Sequence, residues 1–98
     1  MPGDYKIINN EQQMRFEIHE GGEIAILEYR FYKKDIALMH TLVPKSMEGK
    51  GVASALAAYA FNYAKERKKP VMVYCPFVSV YIKRHPEVGE QLDKEFHH

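Results

Sequence analysis

The chain has 98 residues, of which 46% are hydrophobic and 28% are charged, and its formal net charge is +1. These values predict one globular domain, residues 1–98, and the near-neutral charge argues against nucleic acid as a partner. No apolar run approaches the ~20 residues of a membrane span and no signal sequence is recognisable, so we expect a cytoplasmic protein without membrane contacts. The single cysteine, Cys75, excludes an internal disulfide and multi-cysteine zinc sites, and the sequence shows no other metal-ligand cluster.

Three strands are predicted in the first half of the chain. Residues 1–13 are polar and we expect them to begin loosely. Residues 15–19 alternate between apolar and polar side chains, a glycine pair marks a turn, and residues 23–32 alternate again. Residues 36–43 are the most apolar of the three segments, and we expect them at the centre of the sheet. The pattern predicts an antiparallel meander.

Helical periodicity follows from Gly51 to about Lys68, where apolar residues return every three or four positions. Residues 71–74 predict a short buried strand, and a second, short helix is expected from Phe77 to about Arg84. The order is β-β-β-α-β-α. We therefore predict an α/β (α+β) fold with a mixed, mainly antiparallel sheet, one long helix and one short helix. The crossover through the long helix should join parallel strands.

The turn before the long helix is the most informative segment of the chain. Its two glycines let the backbone approach a ligand closely, and a helix start offers free N–H groups and a positive dipole end. Such a turn is typical of a phosphate or pyrophosphate site, although a plain structural turn remains an alternative. The Walker pattern is absent, and the dinucleotide pattern lacks its third glycine. The cofactor-binding candidates here are Glu48, Gly49, Lys50, Gly51, Val52 and Ala53.

Five segments in order resemble the small, stand-alone members of the GNAT (GCN5-related) N-acetyltransferase family. They are residues 40–44 (HTLVP), the glycine turn, the alanine-rich helix, residues 74–77 (YCPF) and residues 81–86 (YIKRHP), and the resemblance covers about residues 14–90. The family pattern [Q/R]-x-x-G-x-[G/A] is matched at Gly51 and Ala53. Glu48 departs from it, and a carboxylate there is unfavourable beside a pyrophosphate.

The resemblance implies acetyl-CoA as the cofactor and acetyl transfer to an amine as the reaction. In such folds the amides of residues 49–53 hold the pyrophosphate. The strand edge at Leu42 and Val43 would pair with the pantetheine arm as an added strand. A main-chain N–H near the same place would polarise the thioester carbonyl.

Candidate catalytic side chains follow from their own chemistry and position together with the resemblance. Cys75 comes just before a helix start and is a possible acetyl acceptor or pocket residue, or else a small buried hydrophobe. Tyr81 would protonate the departing thiolate, or be a core tyrosine with a polar tip. His40 would accept the amine proton, although its alternation with Ile36, Leu38 and Leu42 favours a buried core position. Lys83 and Arg84 would meet a phosphate or an acidic substrate, or be solvated.

Two other function classes stay open. The first is a CoA-binding sensor or regulatory module without turnover, which the shortness of the chain favours. The second is a nucleic-acid module built on a basic cluster at the end of the long helix, against which the near-neutral charge argues. The acceptor would be a small-molecule or protein amine of unknown identity. We expect a monomer or a weak homodimer.

Overall fold

The computed structural model describes residues 5–97. It shows a five-stranded sheet with one long helix packed against it. The strands are β1 (Ile8–Asn10), β2 (Arg15–Glu20), β3 (Glu23–Tyr32), β4 (Asp35–Leu42) and β5 (Val71–Val73). They lie side by side in chain order. β1 to β4 are antiparallel neighbours, whereas β4 and β5 are parallel. The predicted mixed, mainly antiparallel sheet is confirmed.

One helix connects the parallel strands β4 and β5, and a second helix follows β5. They are α1 (Val52–Glu66) and α2 (Pro76–Arg84), and short 3₁₀ segments precede and follow them at Lys45–Met47 and Pro86–Gln91. The predicted β-β-β-α-β-α order is therefore present, with one further strand in front of it. Within residues 5–97, neither helix has the length and apolar character that crossing a bilayer requires.

β1 is a strand that the sequence did not predict within residues 1–13, whereas the loose start expected for that segment falls on residues 1–4, which lie outside the described part of the chain. Asn9 pairs with Phe16 in β2, and the Tyr29 hydroxyl donates a hydrogen bond to Asn9 Oδ1 at 2.7 Å. A strand of three residues, two of them asparagine, is too short and too polar to show an alternating pattern. Only tertiary contacts identify it.

The core lies between the sheet and α1. Phe16 and Tyr29 stack with ring centroids 4.6 Å apart, and Tyr63 of α1 meets Phe16 edge to face at 5.3 Å. Small side chains on α1, such as the fully buried Ala60, let the helix approach the strands closely. The middle of the sheet is β3 rather than β4, which corrects the sequence-based placement. β5 pairs with β4 over only three residues. For most of its length β4 therefore has a neighbouring strand, β3, on one side only.

A β-bulge interrupts β4. Tyr29 pairs with Leu38 and Glu28 pairs with His40, so Met39 is an extra residue on the β4 side. Leu38 and Thr41 therefore both face inward, although they are three residues apart. The expectation that His40 shares the buried face of Leu38 is wrong, because the bulge shifts the alternation and leaves His40 exposed.

The same region is where β4 and β5 part. The last hydrogen bond between them runs from the Tyr74 N–H to the Leu38 carbonyl at 3.0 Å. Beyond Leu38, the chain that follows β5 turns away into α2, and the edge of β4 lies open. A bulged strand bends and twists more strongly than a regular one, which accounts for the divergence. The result is a V-shaped cleft at the end of β4.

Candidate functional site

One cleft gathers most of the cofactor-binding candidates. It has a volume of about 530 Å³ and is lined by the end of β4, the glycine turn, the first turn of α1 and one side of α2. Pockets that hold small molecules and cofactors usually measure about 300–1,000 Å³. The cleft therefore has the size of a pocket that binds a small molecule.

The glycine turn forms one wall of this cleft. Gly49 and Gly51 both have φ of 76°, a conformation in which side chains are strained, and Gly51 is the N-cap of α1. The first i to i−4 hydrogen bond of the helix runs from the Ala55 N–H to the Gly51 carbonyl at 3.0 Å. No side chain caps the helix and no acidic residue lies in its first turn. The N–H groups of residues 52–54 are thus available to an anion.

The other residues of the turn differ in position. Glu48 lines the cleft together with Gly49, Gly51, Val52 and Ala53, whereas the Lys50 side chain is exposed outside the lining. The Lys50 carbonyl accepts a hydrogen bond from the Tyr5 hydroxyl at 2.6 Å. Nothing in the sequence pattern pointed to Tyr5, which comes before the first strand.

The open edge of β4 forms the second wall. Thr41, Leu42 and Val43 all line the cleft, and the Leu42 side chain is 55% exposed. Main-chain groups alternate between the two sides of a strand, and Leu38 already points to the β5 side because it accepts from Tyr74. After the bulge this alternation starts again at His40, which pairs with Glu28 and directs its main-chain groups toward β3. The main-chain groups of Thr41 therefore point to the open edge, and Val43 is the next residue with this orientation.

Cys75 lies under the cleft rather than in its lining. Its side chain is 1% exposed, and its Sγ is 3.0 Å from Thr41 Oγ1. Cys75 is the N-cap residue of α2, and Pro76 takes the first helical position, where a missing N–H costs nothing. The thiol consequently contacts the cleft through Thr41.

α2 supplies the third wall. Phe77, Val80, Tyr81 and Arg84 line the cleft, and Phe77 is 56% exposed. Tyr81 stacks on His85 with ring centroids 4.4 Å apart. Burial raises the pKa of the Tyr81 phenol, and the negative charge of Glu87 raises it further. The phenol therefore holds its proton more tightly than a solvent-exposed tyrosine does, and its O–H group lies where it can donate a hydrogen bond into the cleft.

Two predicted site residues lie outside this cleft. Lys83 is exposed and does not line the cleft, whereas its neighbour Arg84 does line it. His40 is exposed on the opposite face of the sheet from Thr41. The structure thus separates His40 from Tyr81 and the glycine turn, which it brings together.

Several lining residues escaped the sequence analysis, namely Thr41, Met47, Ser54, Phe77 and Val80. The α2 residues carry a usable signal, because positions 77, 80, 81 and 84 have the spacing of one helical face. Thr41 carries none, since only the bulge turns it inward. Among residues 5–97, no three His, Cys, Asp or Glu side chains come together as a metal site would require.

Comparison with known families decides the relationship. Residues 15–92 match the model of the GCN5-related N-acetyl-transferase family. The chain belongs to this family. The matched range begins with β2 and includes every element of the cleft, while β1 and Tyr5 precede it.

Individual relatives are distant. The mouse (Mus musculus) protein NATD1 is 29% identical over 87 residues, which cover 86% of this chain and 79% of that protein. The Xenopus tropicalis protein NATD1 is 27% identical over 84 residues, covering 83% and 77%. The NMR structure of a GCN5-like protein from Staphylococcus aureus superposes with a TM-score of 0.69 at 23% identity and 97% coverage of both chains. The GNAT-like fold inferred from the sequence is confirmed.

Proposed function

We propose that this protein is an N-acetyltransferase that uses acetyl-CoA and acts on an amine. The observation that carries the proposal is the meeting of two features in one cleft. An uncapped helix N-terminus follows two glycines with positive φ, and an open strand edge faces it. An extended, phosphorylated cofactor would use both features, the first for its diphosphate and the second for its amide-containing arm.

Binding needs more than the glycine turn. A helix dipole contributes only about 0.3–2 kcal/mol, whereas micromolar affinity corresponds to about 8 kcal/mol. The main-chain groups of Thr41 and Val43 would add hydrogen bonds along the pantetheine arm. Leu42, Phe77 and Val80 would cover its apolar parts. Arg84 is the cation among the lining residues and would meet a phosphate group, while Glu48 opposes the negative charge.

Acetyl-CoA, when bound, supplies an activated acetyl group as a thioester. The main-chain N–H of Thr41 or Val43 would donate to the carbonyl oxygen and stabilise the negative charge that develops there. The amine nitrogen forms the new bond to the carbonyl carbon, and the carbon–sulfur bond breaks. Tyr81, whose hydroxyl is the phenol among the lining residues, would give its proton to the departing sulfur.

Among residues 5–97, the carboxylate that lines the cleft is that of Glu48, which lies in the turn assigned to the diphosphate, and neither Cys75 nor His40 reaches the cleft to accept the proton of the attacking amine. Cys75 is buried, and His40 lies on the other face of the sheet. This observation favours the second candidate function, a CoA-binding sensor or regulatory module without turnover. The acceptor amine, the monomer or weak homodimer and the cytoplasmic location stay predictions.

Calorimetric titration with acetyl-CoA tests the proposal, with ATP and NAD as controls. We expect saturable, micromolar binding of acetyl-CoA alone. Thiol release in the presence of a panel of polyamines and lysine peptides then separates the enzyme from the sensor. Binding without thiol release would favour the sensor, and equal binding of ATP or no binding at all would remove the cofactor assignment.

A further inference from the structure

Tyr5 reaches the glycine turn from the N-terminal segment. Its hydroxyl donates a hydrogen bond of 2.6 Å to the carbonyl of Lys50, 45 residues further along the chain. Its ring is half-buried against the hydrophobic core. The contact therefore joins an anchored ring to a main-chain atom in the turn that lines the cleft.

The geometry of a peptide unit gives this contact a consequence. In a trans peptide the carbonyl of one residue and the N–H of the next point in opposite directions, and residues 5–97 contain no cis peptide. Tyr5 holds the carbonyl of the peptide between Lys50 and Gly51. The N–H of Gly51 must then point away from Tyr5. Gly51 lines the cleft, whereas Lys50 does not.

Among residues 5–97, no other hydrogen bond involves the Lys50 carbonyl or the Gly51 N–H. Glycine occupies positive and negative φ with similar ease, so the unit between Lys50 and Gly51 can rotate between two orientations. One orientation offers an N–H group to an anion. In the other orientation, the Lys50 carbonyl oxygen, which carries partial negative charge, would replace that donor. The Tyr5 hydroxyl stabilises the first orientation.

We propose that Tyr5 is a positioning residue for the diphosphate of the cofactor. It acts through the Lys50 carbonyl and keeps the Gly51 N–H available to the phosphate oxygens. The inference rests on the proposed function and assigns a role to a residue outside the segment shared with the family. Because the hydrogen bond is exposed to solvent, its loss should disturb the fold little and the anion site more.

The test compares Tyr5→Phe with Tyr32→Phe in the full chain. Both changes remove a hydroxyl and keep the ring; Tyr32 is 56% exposed and its hydroxyl makes no hydrogen bond to any residue between 5 and 97. Calorimetry gives the Kd for coenzyme A and for pantetheine, which lacks the diphosphate. We expect Tyr5→Phe to weaken coenzyme A binding about fivefold, the loss of one ordinary hydrogen bond, and to leave pantetheine unaffected. Tyr32→Phe should bind both like the wild type.

Three outcomes overturn the inference, and they are distinguishable. Wild-type affinity for coenzyme A in Tyr5→Phe would show that the hydroxyl does not matter, with the proposed function intact. An equal loss of coenzyme A and pantetheine binding would show that Tyr5 acts through the fold as a whole. Failure of the wild type to bind coenzyme A would remove the proposed function and the positioning role together.

Discussion

Thr41 Oγ1 and Cys75 Sγ lie 3.0 Å apart beneath the cleft, although 34 residues separate them in the sequence. The contact joins the end of β4 to the N-cap residue of α2 at the point where β4 and β5 diverge. Thr41 lines the cleft, and Cys75 is buried behind it. The thiol can therefore react with a ligand in the cleft only if the residues that cover it, Thr41 among them, move.

The burial of Cys75 bears on whether its thiol can be acetylated. Because the thiol is 1% exposed, we expect no acetyl group on the intact protein after incubation with acetyl-CoA alone. Cys75→Ser should keep most of the turnover, since a hydroxyl can still bond to Thr41. Mass spectrometry of the intact protein gives the answer. An added acetyl group that is absent from Cys75→Ala would establish the thiol as an acetyl acceptor.

Removal of the Tyr81 hydroxyl should affect the chemical step. We expect Tyr81→Phe to lower kcat by about 10²-fold or more with little change in the KM for acetyl-CoA, because a general acid acts in the transition state. Steady-state kinetics across pH 6–9 measure this effect. Tyr74→Phe is the matched control, since Tyr74 is 51% exposed and is not part of the cleft lining. Equal kcat in both variants would contradict the role of Tyr81.

Gly51 should tolerate no side chain. At its φ of 76°, an alanine costs about 1–2 kcal/mol in backbone strain and adds a methyl group where the cofactor approaches. We expect Gly51→Ala to weaken acetyl-CoA binding at least tenfold in a calorimetric titration. Gly89→Ala is the matched control, because a Cβ there meets nothing within 4 Å. A Gly51→Ala protein with unchanged affinity would place the anion site elsewhere.

Glu48 should oppose the cofactor that its neighbours bind. Its carboxylate lines the same cleft as the helix N-terminus, so neutralising it should strengthen the binding of an anion. We expect Glu48→Gln to lower the Kd for coenzyme A by about two- to fivefold at low salt, with a smaller effect at 0.5 M salt. Glu90→Gln, an exposed carboxylate outside the cleft, should change nothing. Weaker binding by Glu48→Gln would show that the carboxylate instead holds the turn in place.

Asp35 and Asp93 should make stability depend on pH. Burial raises the pKa of Asp35, and the hydrogen bond and charge of Asp93 raise it further. The folded protein thus holds this proton more tightly than the unfolded chain. The associated stability is complete below the unfolded pKa of about 3.9 and is lost as pH rises through the folded value.

Asparagine at position 35 has nearly the shape of aspartate and does not titrate. We therefore expect Asp35→Asn to gain stability relative to the wild type as pH rises from 4 to 8. Urea unfolding at the two pH values measures the difference. A gain that is the same at both would mean that Asp35 titrates normally.

Local patterns carried much of the architecture. Alternation identifies β2 and β3, because one face of each is buried against α1 while the other carries charged side chains such as Glu17 and Arg30. The change from period two to a helical period identifies α1, and the proline residues mark where β5 and α2 meet. The glycine turn was recognisable because its chemistry lies in the main chain. Those features depend on neighbours in the sequence.

What the sequence left out depends on contacts between distant residues. β1 is held by pairing with β2 and has no pattern of its own. The bulge at Met39 arises from the register between β3 and β4, so the burial of Thr41 and the exposure of His40 could not be read from alternation. Tyr5 acts on a carbonyl 45 positions away, and no spacing rule connects the two.

The extra residue in β4 also suggests how such a cleft can originate. Without Met39, Leu38 and Thr41 would be two positions apart and would still share a face, as regular alternation requires. The strand would lose its bend, but every side chain would keep its side of the sheet. In genetic terms, the codon for Met39 adds a bend to the strand edge that lines the cleft and leaves the set of core residues unchanged.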